Sequence, residues 1–214
     1  MENCLIFFAD FLKTELKPFM KSYGFKTSGQ HFYLETDRMI QFISIEKSSW
    51  NMPDSVSFWF NCTIFDQLTH HYFLKHFPEY SKIPKIPHNT SFSIIQPNVS
   101  ALKEGTPYYY SIVPDTNPSD FKSLIMDHLE NILIPFIKTL KSNYDLLEIY
   151  RNPPDQFMGR TIFMTLAEGF HEIEFGDRNV GLKLIQEWID TERKRGYWDE
   201  LVKLVEEKLT TNQF

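Results

Sequence analysis

The chain reads as an α+β domain: a mostly antiparallel sheet of about five strands, packed by an N-terminal helix and by a long helix after the sheet, with a helical tail. Three observations predict this. Residues 55–65 (SVSFWFNCTIF) show the clearest alternation in the chain, the period of a long strand with one strongly apolar face and one mixed polar and aromatic face. Apolar residues recur at helical spacing in two stretches that bracket the strand-like runs. The 214 residues also include 20 Phe, 10 Tyr and 4 Trp but only three alanines, Ala9, Ala101 and Ala167. Each ring buries a large area, so the core is expected to be built from few, big pieces.

The elements follow in order. Leu5, Phe8, Ala9, Leu12, Leu16, Phe19 and Met20 form one apolar stripe, so residues 5–20 read as an amphipathic helix. Pro18 should bend it, because its ring clashes with the carbonyl four residues back. Gly24 ends it. Strands are predicted at 31–36, 39–47, 55–65, 91–96 and 107–113. In the third, Val56, Phe58, Phe60, Cys62 and Ile64 share one face, and Ser57, Trp59, Asn61, Thr63 and Phe65 the other. Short connections favour antiparallel pairing, since parallel pairs need long crossovers. A short helix is predicted at 66–77 with Asp66 as its N-cap. Asn117 and Pro118 open a long helix whose stripe runs from Phe121 to Leu140, with a kink expected at Pro135. A short helix covers 144–150, and the turn-rich Arg151–Asp155 divides the chain into an α+β domain (1–152) and a helical tail packed on it (153–214). The tail reads as helices at about 157–170, 178–193 and 197–210.

Charge and composition exclude several classes. Lys and Arg number 22 against 28 Asp and Glu, a net charge of −6 that disfavours nucleic-acid binding. Tyr108-Tyr109-Tyr110 has no basic residues interleaved and reads as core packing. The basic triplet Arg193-Lys194-Arg195 sits at a helix C-terminus, where cations complement the dipole. No run of residues is long and apolar enough for a membrane span, and Met1-Glu2-Asn3 lacks the basic start of an export signal, so a cytoplasmic location is expected. Cys4 and Cys62 then read as small buried hydrophobes in a reducing compartment.

Motif searches return little. There is no G-x-G-x-x-G, no phosphate-binding G-x-x-x-x-G-K, no C-x-x-C and no G-x-S-x-G, so no cofactor is expected. His171-Glu172 opens like H-E-x-x-H, but position 175 is Phe. His70, His71 and His76 lie on the predicted short helix with Asp66 one turn before His70. A zinc or iron site needs three protein ligands with supporting partners, so this set reads as a capped surface helix rather than a metal site. The polar-aromatic face of the third strand is the better candidate. Trp59, Asn61 and Thr63 on that face, Glu46 at the end of the preceding strand and Trp50 in the loop between them are the predicted ligand- or partner-binding residues.

The stretches LKPFMKSYGFK (16–26), HFYLETDRMIQFISIEKSS (31–49), SVSFWFNCTIFD (55–66) and IPFIKTLKSNYDLLE (134–148) resemble a family of uncharacterised bacterial proteins, domain-of-unknown-function family 4304, over about residues 3–150. The tail is similar to the helical-hairpin ending of some members, and to a single tetratricopeptide-type pair. The resemblance implies an α+β cytoplasmic domain with no assigned activity. The function expected is therefore non-enzymatic binding of a protein partner, with an immunity-type inhibitor of a bacterial toxin as its specific form. Acidic charge would speed encounter with a basic toxin. The alternative is a hydrolase-like or metal-assisted enzyme using Asp66, His70 and Glu46.

Overall fold

The computed structural model describes residues 3–36, 39–76, 102–103, 107–152, 162–196, 198–211 and 213–214; of residues 72–74, 76, 162 and 163 it describes the backbone alone. The chain divides into two compact units. The first takes its described residues from Met1–Thr36, Ile40–Ile64 and Ile95–Leu140, and the second from Met39, the stretch that begins at Phe65, and Lys141–Phe214. The second unit thus draws on residues from both sides of Arg151–Asp155.

The first unit opens with α1 (Cys4–Phe11), which Asn3 caps by accepting from the Ile6 N–H at 3.1 Å. A π-helical turn, Leu12–Leu16, follows, and α2 (Lys17–Ser22) continues the same helix. In that turn the Lys17 N–H reaches the Leu12 carbonyl, five residues back. The widened turn lies immediately ahead of Pro18, whose missing N–H and bulky ring make a regular α-turn unfavourable there. It also holds one residue more than the sequence period assumes. Upstream of it Phe8 is buried as expected, but Cys4 and Phe11 are buried in place of the expected Leu5, Ala9 and Leu12. Leu5 is 39% exposed as a result. Gly24, at φ +90°, follows the helix end.

Five strands form one antiparallel sheet in the order β1 (Lys26–Ser28), β2 (His31–Glu35), β3 (Met39–Lys47), β4 (Val56–Asp66), β5 (Tyr110–Ile112). Register is fixed by pairs such as Phe32↔Ile43 between β2 and β3 and Phe58↔Tyr110 between β4 and β5. β1 is an addition to the sequence reading: three polar residues give no alternation to detect. The last strand is shorter than the predicted 107–113, and the predicted strand 91–96 lies outside the described residues.

The expected face of β4 is buried, and its rings form the core. Phe58 packs on Phe8 at 4.7 Å between centroids, on Tyr110 at 5.4 Å and on Phe60 at 5.7 Å. Phe121 meets Phe11 at 5.5 Å and Phe58 at 6.1 Å. Phe121 comes from α4 (Pro118–His128), whose N-cap Asn117 accepts from the Ser119 N–H at 2.9 Å. A second π-helical turn, Leu129–Leu133, lies just ahead of Pro135, and α5 (Ile134–Thr139) completes the long helix. Of the Tyr108–Tyr110 run, only Tyr110 is core; Tyr108 and Tyr109 stand exposed, because β5 begins at Tyr110. The Tyr110 hydroxyl pairs with His128 Nδ1 at 2.7 Å, and burial pushes the phenol's pKa up.

The second unit holds α3 (Gln67–His76), α6 (Asn143–Arg151), α7 (Ile162–Phe175), α8 (Arg178–Arg195) and α9 (Asp199–Thr210). Ser142 and Asp145 cap α6 reciprocally. α7 and α8 form a hairpin whose turn is capped by Asp177, which accepts from the Asn179 N–H at 2.8 Å. Where they cross, the backbones touch: a Cβ on Gly181 would lie 2.6 Å from the Gly169 carbonyl oxygen, and one on Gly169 would lie 2.8 Å from Ile185 Cγ1. Trp188, Ile189, Leu201, Val202 and Val205 are buried on α8 and α9. The helix predicted to end at 170 runs on to Phe175, so His171 and Glu172 lie inside it. Among the described residues no helix is long and apolar enough to cross a membrane.

Candidate functional site

The predicted surface site belongs to the first unit. β4's second face carries Ser57, Trp59 and Asn61, all half-buried, while Thr63 is only 1% exposed and offers little to a partner. Trp59 lies 6.5 Å from the exposed ring of Tyr108. Glu46 is half-buried at the penultimate position of β3. Trp50 is 82% exposed in the β3–β4 loop. Tyr109 and Met52 are exposed as well. Of these the structure brings Trp59 and Tyr108 together, and Asn61, Glu46 and the Ser57–Ser111 hydroxyl pair are the polar groups among them.

A second cluster, in the second unit, was only partly visible in sequence. Asp66 ends β4 and caps α3, and it is completely buried. Its Oδ1 accepts the Thr69 N–H at 3.0 Å. Its Oδ2 accepts from Thr69 Oγ1 at 2.6 Å, Tyr150 Oη at 2.7 Å and His171 Nε2 at 2.7 Å. Burial alone would raise this carboxyl's pKa. The charge and hydrogen bond of His171, with the bonds from Thr69, outweigh burial and hold it below the usual carboxylate range. The same burial, with the Asp66 charge beside it, pushes the Tyr150 phenol well up, so it stays a donor.

The next residues along α6 and α7 repeat the contact. Arg151 donates twice to Glu172, Nε to Oε1 at 2.6 Å and Nη2 to Oε2 at 2.9 Å. Glu172 Oε2 also accepts the Asp177 N–H at 2.9 Å, which ties the pair to the α7–α8 turn. Hydrogen bonding to Arg151 holds Glu172 below its usual range against the opposing effect of burial.

Chemically, an Asp–His pair serves acid–base catalysis when the second ring nitrogen faces a substrate. Here the His171 side chain is 0% exposed and its Nδ1 is buried without a hydrogen-bond partner. The arrangement works as a clamp on α3, α6 and α7. His70, half-buried against Phe65 at 5.4 Å, has its pKa lowered by burial and by His71. His71 is exposed, and the side chain of His76 lies outside the described residues. Among the described residues no three of His, Cys, Asp and Glu converge as a metal site would require. Sequence reasoning missed Tyr150 and His171 as Asp66's partners; the local signal was the His171-Glu172 pair, which stood out only as a broken H-E-x-x-H.

Fold and site together define an α+β domain in which a five-stranded antiparallel sheet carries an aromatic surface and a separate, sealed polar clamp holds helices together. The family model described as "Domain of unknown function (DUF4304)" matches residues 16–139, more than half of the chain, and the protein belongs to that family. Asp66 and Thr69 lie within the matched stretch, whereas Tyr150 and His171 lie beyond it. No curated protein and no solved structure matches the chain.

Proposed function

We propose that the protein is a non-enzymatic cytoplasmic binding protein, and specifically an immunity-type inhibitor of a basic bacterial toxin. One observation carries the reading: the first unit leaves Trp50, Tyr108 and Tyr109 in water, with the Tyr108 ring 6.5 Å from a half-buried Trp59. Large exposed rings are costly to a free protein and common at protein interfaces. The net charge of −6 fits a basic partner. The enzymatic alternative, through Asp66, His70 and Glu46, has weaker support, because both oxygens of Asp66 are already committed to buried donors.

The test is co-expression in a bacterial host with the product of the gene immediately upstream. If that product halts growth, this chain should restore it, and the double variant Trp59→Ala/Tyr108→Ala should restore it less. A toxic neighbour that the wild-type chain leaves unchecked, or the absence of any toxin gene beside relatives in several genomes, would sink the immunity role.

A further inference from the structure

The β3–β4 loop does not behave as its composition, SSWNMPD, would lead one to expect of a connecting segment. Asn51 holds it from within: its Oδ1 accepts the Ser57 N–H at 2.7 Å and its Nδ2 donates to the Ser57 carbonyl at 3.0 Å. Met52 and Ser55 exchange backbone hydrogen bonds at 2.8 and 3.1 Å. Ser48 Oγ accepts the Trp50 N–H at 3.1 Å. The Pro53 carbonyl accepts the Cys4 N–H at 2.6 Å, which seats the first turn of α1 on the loop. The outcome is a fixed backbone that carries Trp50 into solvent.

Neighbouring elements add to the same end of the sheet. Ile6, on the α1 turn seated by Pro53, is exposed, as is Met52. Val113 is exposed too; it follows Ile112, which pairs with Val56 at the loop's exit. Asp54 and Asp115 are exposed at the same end. Lys47 is there as well, with its ammonium 5.3 Å from the centre of the Phe8 ring.

We propose that this end of the sheet is the docking surface for the partner, with Trp50 as the anchor. The partner is inferred to be a protein that offers an apolar pocket with Lys or Arg at its rim. The inference rests on the binding role proposed above and locates it. A rigid loop has already lost the entropy that ordering a tryptophan would otherwise cost on association. Binding hot spots are enriched in tryptophan, tyrosine and arginine and sit in well-packed pockets near the centre of an interface. Charge selects among occupants: Asp54 and Asp115 outnumber Lys47 at this end, and the net negative charge disfavours a second copy and an anionic bilayer while it attracts a basic rim.

The experiment places the photo-crosslinker p-benzoylphenylalanine at position 50 of the full chain in one strain and at position 109 in another. The result expected is a protein adduct from position 50, with the linked residue mapped by peptide mass spectrometry to an apolar segment flanked by Lys or Arg. With the recombinant pair, Trp50→Ala should weaken binding roughly 30-fold, and Asp54→Lys/Asp115→Lys should slow association about tenfold at low salt. Both variants should keep the wild-type melting temperature. A position-50 adduct to lipid or to a second copy of the chain overturns the proposal, as does unchanged affinity in Trp50→Ala. An adduct from position 109 with none from 50 also overturns it but leaves the binding role standing. No adduct from either position removes both.

Discussion

The two units stabilise themselves by opposite means. The first buries rings against rings: Phe58 alone meets Phe8, Phe60, Tyr110 and Phe121, and the polar groups inside are few and paired, as Tyr110 is with His128. The second places a carboxylate at the centre of its helices and satisfies it with a hydroxyl, a phenol, an imidazole and an amide. Ring packing is non-directional and degrades by degrees as atoms are removed. A buried carboxylate is directional and fails sharply when one partner is lost. The contrast shows how one chain can make one part tolerant and another part exacting.

Four experiments test that contrast. The largest effects are expected from Phe60→Ala in the first unit and Asp66→Ala in the second, each costing ~3–5 kcal/mol by urea unfolding. Hydrogen exchange should then separate them, with protection lost in β2–β4 for the first and in α3, α6 and α7 for the second. Equal loss everywhere from both variants would show that the units are one cooperative body. A loss under about 1 kcal/mol for Phe60→Ala would mean that the strand faces are wrongly assigned.

Gly181→Ala should follow, at ~1–3 kcal/mol, because its methyl would press on the Gly169 carbonyl and force the hairpin apart. An unchanged melting temperature would refute the close crossing of α7 and α8. Acid comes third. The carboxyls of Asp66 and Glu172 both have pKa values below their unfolded ones, so their stabilisation is complete above the unfolded values and is lost as pH falls through the folded ones. Protection in α6 and α7 should therefore fall below about pH 4, and Asp66→Asn should flatten that dependence. A pH profile shared by wild type and variant would show that Asp66 is not the titrating group. The smallest effect, within about 0.5 kcal/mol, is expected from Trp50→Ala, whose ring lies in solvent.

Much of the first unit could be read from its residues. The alternation of 55–65 announced β4 and its buried face, and the cap at Asn117 stands where helix-opening chemistry predicts. β1 escaped because Lys, Thr and Ser carry no pattern of burial. In the α1 stripe Phe8 was read correctly but Leu5, Ala9 and Leu12 were one residue out, because a constant 3.6-residue period cannot register a widened turn. At the site, Trp50 and Trp59 were legible as rings without an obvious place in the core, whereas burial of Thr63 was not. The clamp was the least legible part. Asp66 and His171 are 105 positions apart, and no local period links two residues that meet only through tertiary packing.

The π-helical turns ahead of Pro18 and Pro135 have a consequence for how the protein tolerates changes of length. Such a turn absorbs one residue inside a helix without interrupting it, so an insertion or deletion there is taken up within a single turn. Relatives should therefore align to this chain with one-residue gaps at 12–16 or 129–133, and a gap at such a place marks a change of helical phase rather than a loop.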